Sequence, residues 1–554
     1  MVGNDTVAKG RNEKVLFWAS FFTLIAAGIG FSVRGFILKD WGNQFGFTQS
    51  ELGGITGGGL VGFGVAIIFF SFLADRFGYG KLMLIAFLLH VSSAVVTFAA
   101  APIYGMYGKE GAYWCLYAGM WLFALGNGTC EAVINPLTAT LFPKEKTKWL
   151  NILHAGWPGG LILGAVIGLA FGQIDTPIRW EIKLGIFLLP VLIYGALMFN
   201  RVFPDSEATA SGVSTGTMLV SLITPILFFL FLMHALVGYV ELGTDSWITN
   251  ISERVLKDGT TALLAFVWTN LLMFILRFFA GPIVHKINPV GLLFISAVLG
   301  TIGLYLLGQA STNTVLLYFG AVTIYGIGKT FYWPTLLGVI SERFPKAGAL
   351  ALGISGGIGM ISAGMLGGPG IGYKQDYAAV DNLKSTSAVT YDRYKSVDSN
   401  GFPIVSQFMP DLAPKIAGLD NQKLKVFNDH QGNQAKIKAA EDAKKEIPKD
   451  LKTTLDADVE TMKKEKAEGK PVGAELEKSL TDLSNWWATQ GKPNFATDQK
   501  PLNDAVDYGD RKALLWTSAV PATLAVGFLL LLLYFAVTGG YKQVHLDAHG
   551  NTNH

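Results

Sequence analysis

Glu131 lies four residues before the pair Asn135-Pro136, inside the apolar run "GTCEAVINPLTATLFP" at residues 128–143. A charged carboxylate in hydrocarbon costs at least ~2.5 kcal/mol, so its presence marks a pathway, a relay or a buried pair. Three chemistries fit it. The acid can load a proton on one side of a membrane and release it on the other. It can pair permanently with a buried cation, Lys329 or Arg34. It can hydrogen-bond a substrate and nothing more. Pro136 removes the backbone donor that the Ala132 carbonyl would otherwise meet. The helix can kink there, with Asn135 placed to satisfy the freed carbonyl, and the kink is either functional or purely structural.

Other polar side chains stand in apolar runs: Arg34, Glu241, Asp245, Arg277 and Lys329. Lys329 would pair with Glu131 or Glu241, or touch substrate. Arg277 suits a gate, because a guanidinium can clamp backbone carbonyls. His154 and His234 would relay protons or pack as hydrogen-bonded histidines. Trp157, Trp247, Trp268, Phe331, Tyr332 and Trp333 offer flat faces that stack on the C–H face of a pyranose. The same rings would also suit a hydrophobic gate or an interfacial belt.

The elements that must position these residues are membrane spans. The chain of 554 residues is 51% hydrophobic and 15% charged, with 65 glycines and 37 phenylalanines. A soluble chain carries roughly 25% charge. Apolar runs of about 20 residues occur near 15–38, 52–74, 81–103, 113–142, 149–172, 181–203, 217–241, 261–284, 289–309, 314–343, 348–371 and 512–537. Twelve spans put both termini on one side. The loops on that side hold Arg76, Lys81, Lys144, Lys146, Lys148, Lys286, Arg343 and Lys346. The short loops opposite hold Lys39, Lys109, Arg179, Arg254 and Lys257. The positive-inside rule then expects cytoplasmic termini and an inner or plasma membrane location. The polar start "MVGNDTVAKGRNEK" followed by an apolar run reads as a tail and a first span, not a removed signal peptide.

These spans predict an all-α membrane protein of twelve transmembrane helices in two six-helix repeats. The divisions are a cytoplasmic N-terminal tail at 1–14, a first bundle at 15–203, a cytoplasmic linker at 204–216 and a second bundle at 217–372 and 512–537. An extracytoplasmic insert fills 373–511 between helices 11 and 12, and a cytoplasmic tail fills 538–554. The insert is rich in Lys, Glu and Asp, and long domains translocate largely regardless of charge. A small cap domain of short helices and a partly disordered segment both remain open for it.

The halves repeat. Gly126 and Gly128 match Gly326 and Gly328, and Gly156, Gly159, Gly164 and Gly168 match Gly356, Gly359, Gly364 and Gly368, at an offset of 200. "LFPKEK" matches "RFPKAG", shifted by two. Repeated halves with a midplane site between them are a transporter architecture. The loop "SFLADRFGYGKLMLIA" at 71–86 resembles the signature loop of the major facilitator superfamily, G-x-L-A-D-R-x-G-R-K. Asp75, Arg76, Gly78 and Lys81 match it, while Ser71 and Tyr79 depart from it. The resemblance implies that spans 1, 4, 7 and 10 line the cavity. It also implies that Asp75 latches the halves together in one access state.

A closer likeness follows. "GNGTCEAVINPLTATLFPKEKTKWLNILHAGWPGG" is similar to the fucose–proton symporter family, which has G-x-G-x-x-E-x-x-x-N-P in span four and then L-N. Gly126, Gly128, Glu131, Asn135, Pro136, Leu150 and Asn151 match. In span seven Gly238, Glu241, Ser246 and Trp247 match the family's G-x-E followed by S-W. The family has an acid near Gly35, where this chain has Arg34, and an asparagine at Trp157. With Lys329, these departures suit an anionic substrate such as a sugar acid.

The expectation is a proton-coupled importer of a monosaccharide or related solute, working by alternating access. Glu131 is the proton-coupling residue. Arg34, Asn135, Asn151, Trp157, Glu241, Lys329, Tyr332 and Trp333 are the substrate-binding candidates. Asp75, Arg76, Gly78, Lys81 and Arg277 are the gating candidates. A symporter of organic anions and a non-transporting sensor are the rival readings. Partners are a small-molecule substrate, the proton and the lipid bilayer, with the protein a monomer. Net charge of +3 gives no case for nucleic acid. Cys115 and Cys130 sit ~22 Å apart on one expected helix and cannot pair. With no P-loop, nucleophile–base pair or metal-ligand spacing, no enzyme, cofactor or metal site is expected.

Overall fold

The computed structural model describes residues 2–47, 49–57, 59–172, 178–256, 259–310, 315–397, 405–406, 414–444, 446, 451–468, 474–547 and 552–553. Lys257 of the loop-charge count and insert residues 398–404, 407–413, 445, 447–450 and 469–473 lie outside these. The chain divides into two compact units, Met1–Ile371 with Leu514–His554, and Gly372–Ala513.

The first unit is helical and membrane-embedded. Among the described residues, eleven helical segments are long and apolar enough to cross a bilayer, beginning with Asn12–Leu38 and Glu51–Phe77. The 42-residue helix Ala100–Leu141 is not one of them. Asn127, Thr129, Glu131, Asn135, Thr138 and Thr140 dilute its apolar character. Average apolarity therefore passes over the helix that carries the buried acid.

Local backbone features set where these helices bend. Ala100–Leu141 is divided at Gly108, whose φ of 68° and ψ of −159° are open to glycine without a Cβ penalty. Pro136 does not break it, because the helix runs on to Leu141. Asn288, at φ 56°, divides Ala280–Leu307, and its Oδ1 accepts from the Gly291 amide at 2.9 Å to cap the segment beyond. The eighth span ends at Arg277, short of the expected 284.

Phe142 and Phe344 end their helices in nearly the same conformation, φ −127° with ψ 62° and 53°. Each is followed by Pro-Lys, and they are 202 residues apart. By this landmark Glu131 corresponds to Trp333, whereas the glycine offset pairs it with Phe331.

Tight crossings pack these helices, within the second half and, at Gly64, between the halves. A Cβ on Gly238 would lie 1.9 Å from the Gly359 carbonyl, so no side chain fits there. Gly64 and Gly357 are similarly close. Two π turns, Tyr239–Gly243 and Ala363–Gly367, meet at Gly243 and Gly367. Such turns recur at functional sites because they re-aim side chains.

One face of this unit carries the 204–216 linker, with the short helix Glu207–Ala210. There the first-half helix Lys146–His154 lies against the second-half helix Tyr332–Arg343. Lys146 donates to Glu207 at 2.5 Å and to the Ser341 carbonyl at 3.0 Å. Thr147 donates its amide and hydroxyl to Glu342 Oε1 at 3.1 and 2.6 Å. The C-terminal tail closes over the same residues. Tyr541 donates to Glu342 Oε2 at 2.6 Å, the Val544 amide to the Glu342 carbonyl at 2.8 Å, and Gln543 to the Pro143 carbonyl.

The second unit is ordered among its described residues and has a core of its own. Leu383, Tyr394, Phe427, Trp486 and Leu502 are buried together. Helices Ala388–Tyr394, Asn421–Asp442, Thr454–Ala467 and Ala474–Trp486 build it, with Val405–Ser406 antiparallel to Ile416–Ala417. Asp498, fully buried, receives two bonds from Arg393 and one from Thr390. Thr453 and Asp456 form a reciprocal cap on the Thr454–Ala467 helix.

Candidate functional site

Glu131, His154, Trp157, Glu241, Leu242, Arg277, Trp333 and Met360 line one small cleft between the halves of the membrane unit. The helix places Asn135 one turn from Glu131, and its Nδ2 donates to Glu131 Oε2 at 2.6 Å and to the Glu131 carbonyl at 3.1 Å. Asn135 thus orients the acid. It does not bond the Ala132 carbonyl that Pro136 frees. His154 Nε2 meets Asn135 Oδ1 at 2.8 Å. Among the described residues Glu131 forms no ion pair.

Arg277 reaches across the cleft. Its Nε donates to the Thr330 carbonyl at 2.8 Å, Nη1 to the His154 carbonyl at 2.6 Å and Nη2 to Glu241 Oε1 at 3.1 Å. It is 1% exposed. The guanidinium clamps carbonyls, as its position suggested, but it does so inside the cleft and from both halves. Glu241 Oε2 is buried with no hydrogen-bond partner. Trp333 packs edge-on to His234, with centroids 4.5 Å apart.

Several expected site residues lie elsewhere. Lys329 pairs with Asp245, not with Glu131 or Glu241, and the pair sits over the Tyr325 ring. Arg34 is enclosed in the first half. Its guanidinium lies 3.7 Å from the Phe123 centroid and 4.9 Å from Phe187, and donates to Ser93 and the Gly30 carbonyl. Neither cation meets Glu131, so the expected structural bridge is absent. Tyr332 turns away and donates to the Ser296 carbonyl at 3.0 Å. Asn151 bonds Thr335 at 3.0 Å beside the linker-face contact. Trp247 donates to the Gly368 carbonyl, Trp268 is 39% exposed, and Phe331 packs with Ala280 and Leu292.

Asp75 accepts from Ser206 at 2.6 Å and Thr209 at 3.3 Å, both in the linker helix, and Gly348 of the second half lies nearby. Arg76 and Lys81 are exposed. Gly78 supplies the positive φ, 79°, that turns the chain between two spans. Sequence reasoning missed Glu342, Thr147 and Tyr541 at the linker face. It also missed the His90 ring, bonded to Tyr194 at 2.9 Å and Asn127 at 3.0 Å. No spacing rule links residues that far apart.

The sequence model described as the Major Facilitator Superfamily matches residues 20–368. The chain belongs to the Major Facilitator Superfamily. Its described residues carry that superfamily's all-helical fold with apolar helices long enough to cross a membrane, and members of the superfamily are transporters. Its fold aligns with the E. coli fucose:proton symporter FucP at a TM-score of 0.53 and 17% identity, over 66% of this chain and 92% of that one. It aligns with the proton:xylose symporter XylE of E. coli at a TM-score of 0.56 and 16% identity, over 64% and 87%. In sequence it is 22% identical over 204 residues to the cis,cis-muconate transport protein of Acinetobacter baylyi. That match takes in 35% of this transporter and spans 44% of its relative's length.

Proposed function

We propose that this transporter is a proton-coupled importer of a monosaccharide or a closely related polar solute, with Glu131 as the residue that loads and releases the proton. The observation that carries the reading is the cleft itself. Glu131 faces it with no ion-pair partner among the described residues, beside Trp157 and Trp333. A carboxylate free of a permanent cation can change protonation state without breaking a salt bridge. Two indole rings provide apolar faces for a sugar ring, and Glu241 provides a hydroxyl acceptor. The likeness to a fucose:proton and a proton:xylose symporter supports the substrate class.

In this reading Ala100–Leu141 is the fourth span and brings the count to twelve, and the linker face is cytoplasmic, with both termini on that side. The halves are two repeats, 373–511 is extracytoplasmic, and the protein works as a monomer. The contacts of Lys146, Thr147 and Glu342 then close the cytoplasmic entrance. Glu131→Gln is expected to abolish proton-driven accumulation in vesicles while substrate counterflow survives. Undiminished uphill uptake by that variant would remove Glu131 from the coupling role.

A second reading, an organic-anion symporter, draws on the muconate transport relative and on Arg277 in the cleft. It no longer draws on Arg34 or Lys329, which lie outside the cleft. Competition decides between the two. The sugar reading expects hexoses to block uptake and dicarboxylates or uronates to leave it intact.

A further inference from the structure

We infer that Arg277 is the counter-charge shared by two acids from opposite halves, Glu241 and Glu131, and that it thereby positions the proton-loading acid. The inference rests on the reading of Glu131 above.

Counting charge around the cleft gives the first argument. Asp245 and Lys329 form a closed pair. Glu241 and Arg277 form a second, 2–4% exposed. Arg34 is enclosed between Phe123 and Phe187. Of the acids and cations that line the cleft itself, Glu241 and Arg277 are paired and Glu131 is the one left without an ion-pair partner among the described residues. When Glu131 loses its proton, a new carboxylate stands in a dry site where Coulomb attraction is strong. Arg277 is the cation that lines the same cleft as Glu131.

Connectivity gives the second. Arg277 holds Glu241 with one nitrogen and the His154 carbonyl with another. The His154 ring bonds Asn135, and Asn135 bonds Glu131. The two acids are thus the ends of one polar chain that crosses between the halves through Arg277. The other titratable ring nearby, His234, is held by Ser355 at 2.5 Å and takes no part in the chain. With Glu131 protonated, Arg277 belongs to Glu241. With Glu131 ionised, one guanidinium serves two carboxylates, and the hold on Glu241 weakens. Glu241 Oε2, unpartnered within the protein, is then the acceptor most open to a substrate donor.

The test titrates the purified full-length protein by tryptophan fluorescence, since Trp157 and Trp333 line the cleft. Subtracting the Glu131→Gln titration isolates the Glu131 transition. Glu241→Gln leaves Arg277 to Glu131 alone and is expected to move the midpoint to lower pH by about one unit or more. Arg277→Gln is expected to move it upward. Glu241→Gln combined with Arg277→Gln removes both charges and is expected to return the midpoint toward the parent value. A midpoint that stays put in Glu241→Gln, or a double variant no closer to the parent than Glu241→Gln, overturns the inference. If Arg277→Gln does not give a cooperative melt, the Glu241→Gln shift decides alone. If no transition separates the parent from Glu131→Gln, it is the proton-coupling reading that fails.

Discussion

Among the described residues in and beside the cleft, the acids and cations are paired except at Glu131, and that arrangement governs what single substitutions do. Lys329 is 1% and Asp245 14% exposed at the side chain. Removing one partner of such a pair leaves an uncompensated charge, which costs about 3–5 kcal/mol. Lys329→Ala is therefore expected to lower the melting temperature of the purified protein sharply. Adding Asp245→Asn should recover much of the loss, whereas a Lys329 that bound substrate would show no such recovery. Residue types announced much of the cleft. Glu131, Glu241, Arg277, Trp157 and Trp333 stand out in apolar runs because each costs something to place there. Direction was not legible. Tyr332 and Trp333 are neighbours in sequence, but successive residues on a helix point about 100° apart. Trp333 therefore faces the cleft while Tyr332 bonds the Ser296 carbonyl. Arg34 was misplaced for the same reason, since only packing reveals that Phe123 and Phe187 enclose it.

Between elements, the linker-face contact depends on a missing side chain. A Cβ on Gly338 would lie 2.3 Å from Thr147 Oγ1. Gly338→Ala should push Lys146–His154 away from Tyr332–Arg343, with a strain of about 1–3 kcal/mol. Asn151→Cys, read by the rate of thiol alkylation, is expected to label several-fold faster when Gly338→Ala is added. An unchanged rate would mean that this contact does not close the entrance. In the insert, the His430 ring packs against Trp487 and Phe495. Burial, then the Lys492 charge, holds its pKa below the ordinary 6.5. The unfolded chain therefore takes up the proton first. The resulting penalty is absent above pH 6.5 and grows as pH falls. Hydrogen-exchange protection factors of residues 421–442, referred to the intrinsic rate at each pH, should fall between pH 7.5 and 5.5, and less so in His430→Gln. Apolar length made eleven of the helices legible. The repeat register was not, because glycines recur too often to fix an offset. The helix ends at Phe142 and Phe344 share one backbone conformation and one following Pro-Lys, a likeness between the proposed repeats that glycine spacing does not give.

Across the molecule, alternating access in this superfamily fold asks the two halves to move as bodies about a central site. The polar chain through Arg277 and the linker-face contacts are the connections such a motion must break or carry along. The C-terminal tail changes the statistics of that motion. Tyr541 and Val544 hold the second half through Glu342, while Gln543 reaches Pro143 of the first. Each such bond is worth about 1 kcal/mol net. Losing the one that crosses, Gln543 to Pro143, would multiply the population of molecules open at the linker face by roughly 5, since 1.4 kcal/mol is tenfold. A chain ending at Thr538 should then spend far more of its time open there. The resting occupancy of the transport cycle would be set by a tail that does not line the cleft.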